Sequence, residues 1–249
     1  MISKSSKTET FGEPIVDGPV PLGRRVVAEL LGTFLLATIA FGAGLQGEKL
    51  APGLGAFAGG LTLAALVLSL GGVSGGHFNP AVSIAILFND RGDAKGFTKV
   101  DFGCYVLAQL VGAFAGVSTA LATFGEPFGV PAAGDLSIGS IFGEALASGS
   151  LILVVLLLVR SGKANLIPAG VALVLTVAGL GLASSAMNPA ITLAKIIAGA
   201  GIPPVTAAVF AVTQLVAAVL AAAVAAALTP QSGERPRLDR LAADVGRAR

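Results

Sequence analysis

Six segments of this chain are each apolar over about the 20 residues that a helix needs to cross a lipid bilayer. Of the 249 residues, 54% are hydrophobic and only 12% are charged, whereas soluble domains carry about 25% charged residues. The sequence therefore predicts an all-α polytopic membrane protein. The predicted spans are 24–45, 55–74, 101–123, 139–160, 167–183 and 204–228.

The triplet Asn-Pro-Ala occurs twice outside these spans, at Asn79-Pro80-Ala81 and at Asn188-Pro189-Ala190. Asn is a favoured helix N-cap, and Pro is tolerated at the first helical position because its missing N–H would have no partner there. Each triplet therefore predicts the start of a helix. About ten apolar residues follow, too few to cross a bilayer, so we expect two re-entrant half-helices.

The two halves of the chain repeat one another. Glu29, Asn79 and Gln109 recur in the same order and at similar spacing as Glu144, Asn188 and Gln214. With three spans in each half, the second copy has the opposite orientation in the membrane. The sequence predicts an inverted repeat, about 24–123 and 139–228, which places a pathway near the midplane between the halves.

Charged residues outside the spans predict the orientation. Lys and Arg precede the first and third spans, lie between the fourth and fifth, and follow the sixth. These four segments fall on one side of the membrane, so the positive-inside rule places both termini in the cytoplasm. Residues 1–23 are interpreted as a disordered cytoplasmic tail, 24–228 as the membrane domain, and 229–249 as a basic cytoplasmic tail. The short loops suggest a bacterial cytoplasmic (inner) membrane.

The other compositional features exclude several classes of protein. The single cysteine, Cys104, rules out an intrachain disulfide. A formal net charge of +2 is too small to indicate nucleic-acid binding. One histidine and one cysteine provide neither a metal cluster nor a nucleophile with its base, so we expect no enzyme, no metal and no cofactor.

Four motifs together resemble the aquaporin and aquaglyceroporin (major intrinsic protein) family: SGGHFNPAVSIA, SSAMNPAITLA, AELLGTF and YVLAQLVGAFAG. The resemblance covers about 24–228. It implies six tilted helices with two half-helices, one pore per subunit and a homotetramer. The partners that it implies are the lipid bilayer, water and small uncharged solutes.

The centre of such a pore can be described from the residues. Asn79 and Asn188 are expected to cap their half-helices and to present side-chain N–H groups to passing oxygens, while the two helix N-termini repel cations and protons. The irregular backbone before each cap is expected to provide a ladder of carbonyl acceptors. The residues predicted to line the pore through their backbone are Gly75, Gly76, His77, Ser184 and Ala186.

The second constriction departs from the family. The resemblance implies an arginine three residues after the second Asn, where this chain has Ile191. Carried over without gaps, the other filter positions are Gly59, Thr176 and Ser185. Relatives that are selective for water have bulky aromatic and His residues there, so we expect a wide, arginine-free filter.

Lys195 lies four residues after Ile191, on the same helix face and nearer the outer mouth. One hypothesis is that Lys195 partly replaces the missing charge and attracts anions or polarised solutes. The alternative is that it extends to the membrane interface and touches no solute.

The remaining polar residues have two interpretations each. Glu29 and Glu144 are intramembrane carboxylates, which by default suggest an ion pathway. Their repeat positions favour a structural role, bonding the backbone of the re-entrant segments. Gln109 and Gln214 are expected to be interhelical hydrogen-bond partners. His77 could be a pH gate, but we favour a role in fixing its loop.

The sequence therefore predicts a passive channel of aquaglyceroporin type for polyols, urea, hydroxylated metalloids and other small uncharged polar solutes, with water as a companion. An ion or small-anion channel is the main alternative, because the arginine is absent. A secondary transporter built from inverted repeats is another. Such proteins use ionisable residues at a midplane site and need space for rocking, whereas short half-helices with Asn caps favour a static pore.

Overall fold

The computed structural model describes residues 19–89, 96–131, 136–183 and 185–229, with only the backbone for 48–50. Most of the predicted N-terminal tail and nearly all of the basic C-terminal tail lie outside the described residues. The described residues form helices joined by short connections. Their α-helices are α1 Leu22–Leu50, α2 Leu54–Ser74, α3 Pro80–Asn89, α4 Lys99–Phe124, α5 Ile138–Arg160, α6 Ile167–Gly181, α7 Pro189–Ala194 and α8 Pro204–Leu228.

Six of the helical segments are long and apolar enough to span a membrane, and they coincide with the six predicted spans to within a few residues. The predicted all-α fold with six transmembrane helices and two short half-helices is confirmed. Helix α3 has 10 residues, as expected. Helix α7 has only 6, because the chain tightens into a 3-10 turn at Lys195–Ile197.

Local sequence explains where the helices begin and end. At the start of α4, Thr98 and Asp101 form a capping box, and each side chain bonds the other residue's backbone N–H. Ser137 and Ser140 do the same for α5. Helix α2 stops at Gly75, whose φ of 89° is left-handed and favours glycine. This ending turns the chain back into the protein immediately before the first Asn-Pro-Ala triplet.

The two repeats interlock through their half-helices. Helix α1 packs against α2 and α4, and the equivalent helix α5 packs against α6 and α8. Half-helix α3 contacts α8 of the second repeat as well as its own α4. Half-helix α7 likewise contacts α4 of the first repeat as well as its own α8. Each re-entrant segment is therefore held by both halves of the protein.

Glycines bring α1 and α4 into close contact. A Cβ atom added at Gly112 would lie 2.5 Å from the Leu30 carbonyl oxygen, and one added at Gly116 would lie 2.5 Å from the Phe34 carbonyl oxygen. Backbone atoms cannot move aside as the end of a side chain can. Small residues thus set the distance between these helices, as is typical of membrane helix pairs.

We predict that Gly112→Ala destabilises the protein by about 1–3 kcal/mol, the usual cost of overpacking. The matched control is Gly103→Ala on the same helix, where an added Cβ meets nothing within 4 Å. Thermal unfolding in detergent, followed by circular dichroism, measures both variants. Equal melting temperatures for the two variants would contradict the close α1–α4 contact.

Candidate functional site

A cavity of about 710 Å³ lies between the two repeats. Its lining includes Lys195 and Gly201 at one end, Asn79 and Asn188 in the middle, and Ile167 near the other end. We call the Lys195 end the outer mouth, following the orientation predicted from the loops. The cavity therefore joins all the regions to which the sequence assigned pore residues.

The two asparagines bond the opposite re-entrant segments at the centre of this cavity. Asn79 Nδ2 donates to the Met187 carbonyl oxygen at 2.9 Å, and Asn188 Nδ2 donates to the Phe78 carbonyl oxygen at 2.8 Å. The side-chain oxygen of Asn79 accepts from Ala81 N at 2.8 Å. Each NH₂ group carries two hydrogens, so one hydrogen joins the two segments and the second remains available to a molecule in the cavity.

The segment before α3 is bonded to the carboxyl group of Glu29. The Glu29 oxygens accept from His77 N at 3.0 Å, Phe78 N at 2.6 Å and Ser74 Oγ at 2.6 Å. Gln109 Nε2 donates to Glu29 at 2.7 Å. Glu29 is fully buried and is not among the residues that line the cavity. Its oxygens are directed at the loop and at α4, away from the pathway.

The segment before α7 has the same arrangement around Glu144. The Glu144 oxygens accept from Ser185 N at 2.9 Å, Ser185 Oγ at 2.8 Å and Met187 N at 3.1 Å. Gln214 Nε2 donates to Glu144 at 2.7 Å and to Thr192 Oγ1 at 3.0 Å. The sequence repeat thus corresponds to two equivalent hydrogen-bond networks.

The irregular backbone before each asparagine lines the cavity. Gly75, Gly76 and His77 line it on the first repeat, and Ser185 and Ala186 on the second. Ser184, which was predicted with them, lies outside the described residues. Immediately before the asparagines, Phe78 and Met187 have φ values of 47° and 52°. Such values are uncommon for residues other than glycine and mark locally strained turns.

The His77 side chain belongs to a small aromatic cluster. Its ring lies edge-on to Phe97, with centroids 4.9 Å apart, and to Tyr105, with centroids 5.3 Å apart. His77 Nδ1 is 3.1 Å from Ser83 Oγ on α3. Tyr105 Oη donates to the Ser74 carbonyl oxygen at 2.7 Å. These contacts attach the loop to α3 and α4.

Three of the four predicted filter residues line the cavity, namely Gly59, Ser185 and Ile191. The fourth, Thr176, does not. Its Oγ1 faces α2 instead, where it occupies the space that a Cβ at Gly60 would fill. On α6, Leu175 and Gly179 line the cavity in its place. The prediction for Thr176 is corrected accordingly, because packing against Gly60 turns it away from the pathway.

Lys195 lines the outer mouth, with Nζ 5.9 Å from the centroid of the Phe41 ring. Phe41 lies on α1 and is buried. Within the described residues, the one ion pair joins Arg25 to Asp101 and does not involve Lys195. Lys195 therefore places its amino group at the cavity wall, next to an aromatic face that can stabilise a cation.

Three residues at or near the cavity have no predicted role at the site, namely Leu175, Phe41 and Arg160. Spacing offers a signal for Leu175, because Val171, Leu175 and Gly179 recur every four residues on one face of α6. Arg160 ends α5, and its Nε donates at 2.7 Å to the side chain of Asn89, the last residue of α3. This bond holds the C-terminal end of α3 against the end of α5. No motif in the sequence predicts it.

Comparison with known proteins identifies the family. Residues 19–165 match the profile of the family described as Major intrinsic protein. This chain belongs to the major intrinsic protein family. A chain of this family is a channel and not an enzyme, and the chain is an integral membrane protein with six spans.

Three similar proteins illustrate the family relationship. Glycerol uptake facilitator protein-like 6 of Lactiplantibacillus plantarum is 36% identical over 185 residues, which cover 67% of this chain and 80% of that protein. Aquaglyceroporin AqpS of Rhizobium meliloti is 34% identical over 217 residues, 81% of this chain and 88% of that protein. The X-ray structure of the aquaglyceroporin from Plasmodium falciparum has a TM-score of 0.66 and 24% identity, covering 82% of this chain and 95% of that one. The last similarity shows a shared fold.

We predict that Glu144→Gln in this family member lowers its stability by about 1–3 kcal/mol, the usual cost of leaving a buried polar group without a partner. A glutamine has one acceptor oxygen in place of two, so it cannot accept from Ser185, Met187 and Gln214 together. The pseudo-equivalent variant Glu29→Gln should have a similar effect. Thermal unfolding of both variants measures it, and wild-type melting temperatures would refute the role of these carboxyl groups in holding the loops.

Proposed function

We propose that this protein is a passive channel of aquaglyceroporin type with a wide, arginine-free filter. It conducts small uncharged polar solutes, including polyols, urea and hydroxylated metalloids, with water as a companion. The observation that carries the proposal is Ile191, which lines the cavity where the family resemblance implies an arginine. The names of the two bacterial relatives, a glycerol uptake facilitator-like protein and an aquaglyceroporin, support the same class of solute.

The centre of the pore explains how such a channel excludes cations. Half-helices α3 and α7 both begin at the cavity centre, so their N-termini contribute positive partial charge there. Asn79 and Asn188 each have one N–H left to donate to a passing oxygen. A neutral hydroxylated solute can accept these bonds, whereas a cation is repelled and finds no carboxylate, since Glu29 and Glu144 bond the loops.

The filter sets the size of the solute. Gly59, Ser185 and Ile191 contribute no aromatic ring and no guanidinium group to the cavity wall. At the filter, α2 contributes no side chain, because residue 59 is glycine. This composition favours solutes larger than water and gives little basis for strict water selectivity.

Lys195 is proposed to compensate in part for the missing arginine. It lies at the outer mouth, about one turn beyond Ile191, where its charge repels cations and attracts polarised or anionic solutes. The charge of Lys195 also favours a second candidate function, a channel that conducts small anions. Such a channel would pass chloride or nitrate as well as neutral solutes.

We also propose how the subunits assemble and how the chain is oriented in the membrane. Members of the family usually form tetramers with one pore per subunit, so we propose a homotetramer. The distribution of Lys and Arg places both termini in the cytoplasm. The domain limits are proposed to be 24–228, flanked by tails, and the membrane to be a bacterial cytoplasmic membrane.

Stopped-flow light scattering on proteoliposomes tests the function. The native protein should accelerate glycerol and urea entry several-fold over empty liposomes. Ile191→Arg should retain water flux and lose most of the glycerol flux, because a guanidinium group narrows the filter. If the native protein raises neither water nor solute flux, it is not a channel of this type.

We predict that Lys195→Ala increases cation leak and removes the dependence of solute entry on ionic strength. A unit charge about 10 Å away contributes about 1.7 kcal/mol at an effective dielectric constant of about 20, which changes the cation flux by a factor of about 17. Lys163→Ala is the control, because Lys163 is exposed in the connection between α5 and α6. Unchanged leak and salt response in Lys195→Ala would refute the role of this residue.

A further inference from the structure

We propose that Leu175 and Ile191 form an apolar filter that selects neutral solutes carrying an alkyl group beside their polar groups. This inference rests on the proposed channel function and names the solutes that the same site prefers. Mono-alkylated ureas and 1,2-propanediol belong to this class. Urea and glycerol are their more polar counterparts.

The first support is the position of Leu175 against Gly59. A Cβ atom added at Gly59 would lie 3.1 Å from Leu175 Cδ2 and 3.2 Å from Ala40 Cβ. The leucine therefore lies over the bare backbone of α2, in the space that a side chain at residue 59 would need. The filter is narrower and more apolar than the absence of aromatic residues alone suggests.

The second support is the rotation of α6. Successive residues of an α-helix point about 100° apart, so the side chains of Leu175 and Thr176 leave α6 in different directions. Thr176 contacts Gly60, and a Cβ at Gly60 would also lie 2.7 Å from the Ala172 carbonyl oxygen. This close contact between α2 and α6 fixes the rotation. It removes the threonine hydroxyl from the filter and places leucine there.

The third support is the shortage of hydrogen-bond donors. Ser185 has the one side-chain hydroxyl among the filter residues that the structure describes on the cavity wall. Its single hydrogen is donated to Glu144 Oε1 at 2.8 Å, while its oxygen accepts from Gln214 Nε2 at 2.9 Å. The next side-chain donors are Lys195 at the outer mouth and the asparagines at the centre.

These observations determine which solutes cross the filter with the lowest free-energy barrier. Each hydroxyl oxygen of glycerol loses water at the filter and finds no side-chain donor there, which is unfavourable. Replacing one hydroxyl group by hydrogen removes that cost. An added methyl group gains contact with Leu175 and Ile191 instead of losing hydration.

The experiment compares matched solute pairs in proteoliposomes, after subtraction of the flux through empty liposomes. We expect the native channel to pass methylurea about fourfold faster than urea, the ratio expected for burial of one methyl group. We expect 1,2-propanediol to exceed glycerol by a similar ratio. Ratios at or below one for both pairs would overturn the inference.

Two variants test whether the filter causes the preference for alkylated solutes. Leu175→Thr should bring both ratios close to one, because it introduces a hydroxyl group. Leu173→Thr is the matched control, because Leu173 lies on the same helix with 66% of its surface exposed, and it should retain the native ratios. Equal ratios in the two variants would overturn the role of Leu175, and thermal unfolding in detergent checks that both variants fold.

Gly59→Ala gives an independent check. The added Cβ would press on Leu175 and narrow the filter, so the flux of N,N′-dimethylurea should fall more than that of urea. An equal fall for the two solutes would contradict the contact. Absence of all solute flux in the native protein would instead refute the proposed function, so the two failures are distinguishable.

Discussion

Every backbone N–H and C=O group at membrane depth needs a hydrogen-bond partner, because lipid offers none. Helices satisfy this requirement within themselves, but the two segments that lead into the half-helices cannot. Glu29 and Glu144 resolve the problem by accepting the N–H groups of His77, Phe78, Ser185 and Met187. The asparagines then bond the two segments to each other. With these bonds in place, irregular backbone is stable inside the bilayer and can form the wall of a pathway.

The same bonds determine the electrostatics of the cavity. The two intramembrane carboxyl groups face the loops, so neither offers a binding site for a cation in the pathway. The half-helix N-termini meet at the centre, and Lys195 lies at the outer mouth. Among the described residues that line the cavity, Lys195 is the one lysine, and no arginine, aspartate or glutamate lies beside it in the lining. We propose that this distribution repels cations, and that it does so although Ile191 stands where the family resemblance implies an arginine.

The spans, the half-helices and the bonds from Glu29 and Glu144 to the re-entrant backbone could be predicted, because each depends on a local pattern repeated in both halves. The side of α6 that faces the pathway could not be predicted in the same way. Counting back from Asn188 selects Thr176, but the contact with Gly60 rotates the helix so that Leu175 lines the cavity. Such a one-residue difference depends on packing between distant segments. For the same reason, the hydrogen bond from Arg160 to Asn89 could not be predicted from the sequence.

We propose that the pathway passes neutral solutes while it excludes cations. The most direct test is to load one preparation of proteoliposomes with a potassium gradient and to follow urea entry and potassium release together. We expect rapid, protein-dependent urea entry with potassium retained as in empty liposomes. Potassium release that rises with the urea flux would contradict it, because the central barrier would then fail to exclude cations.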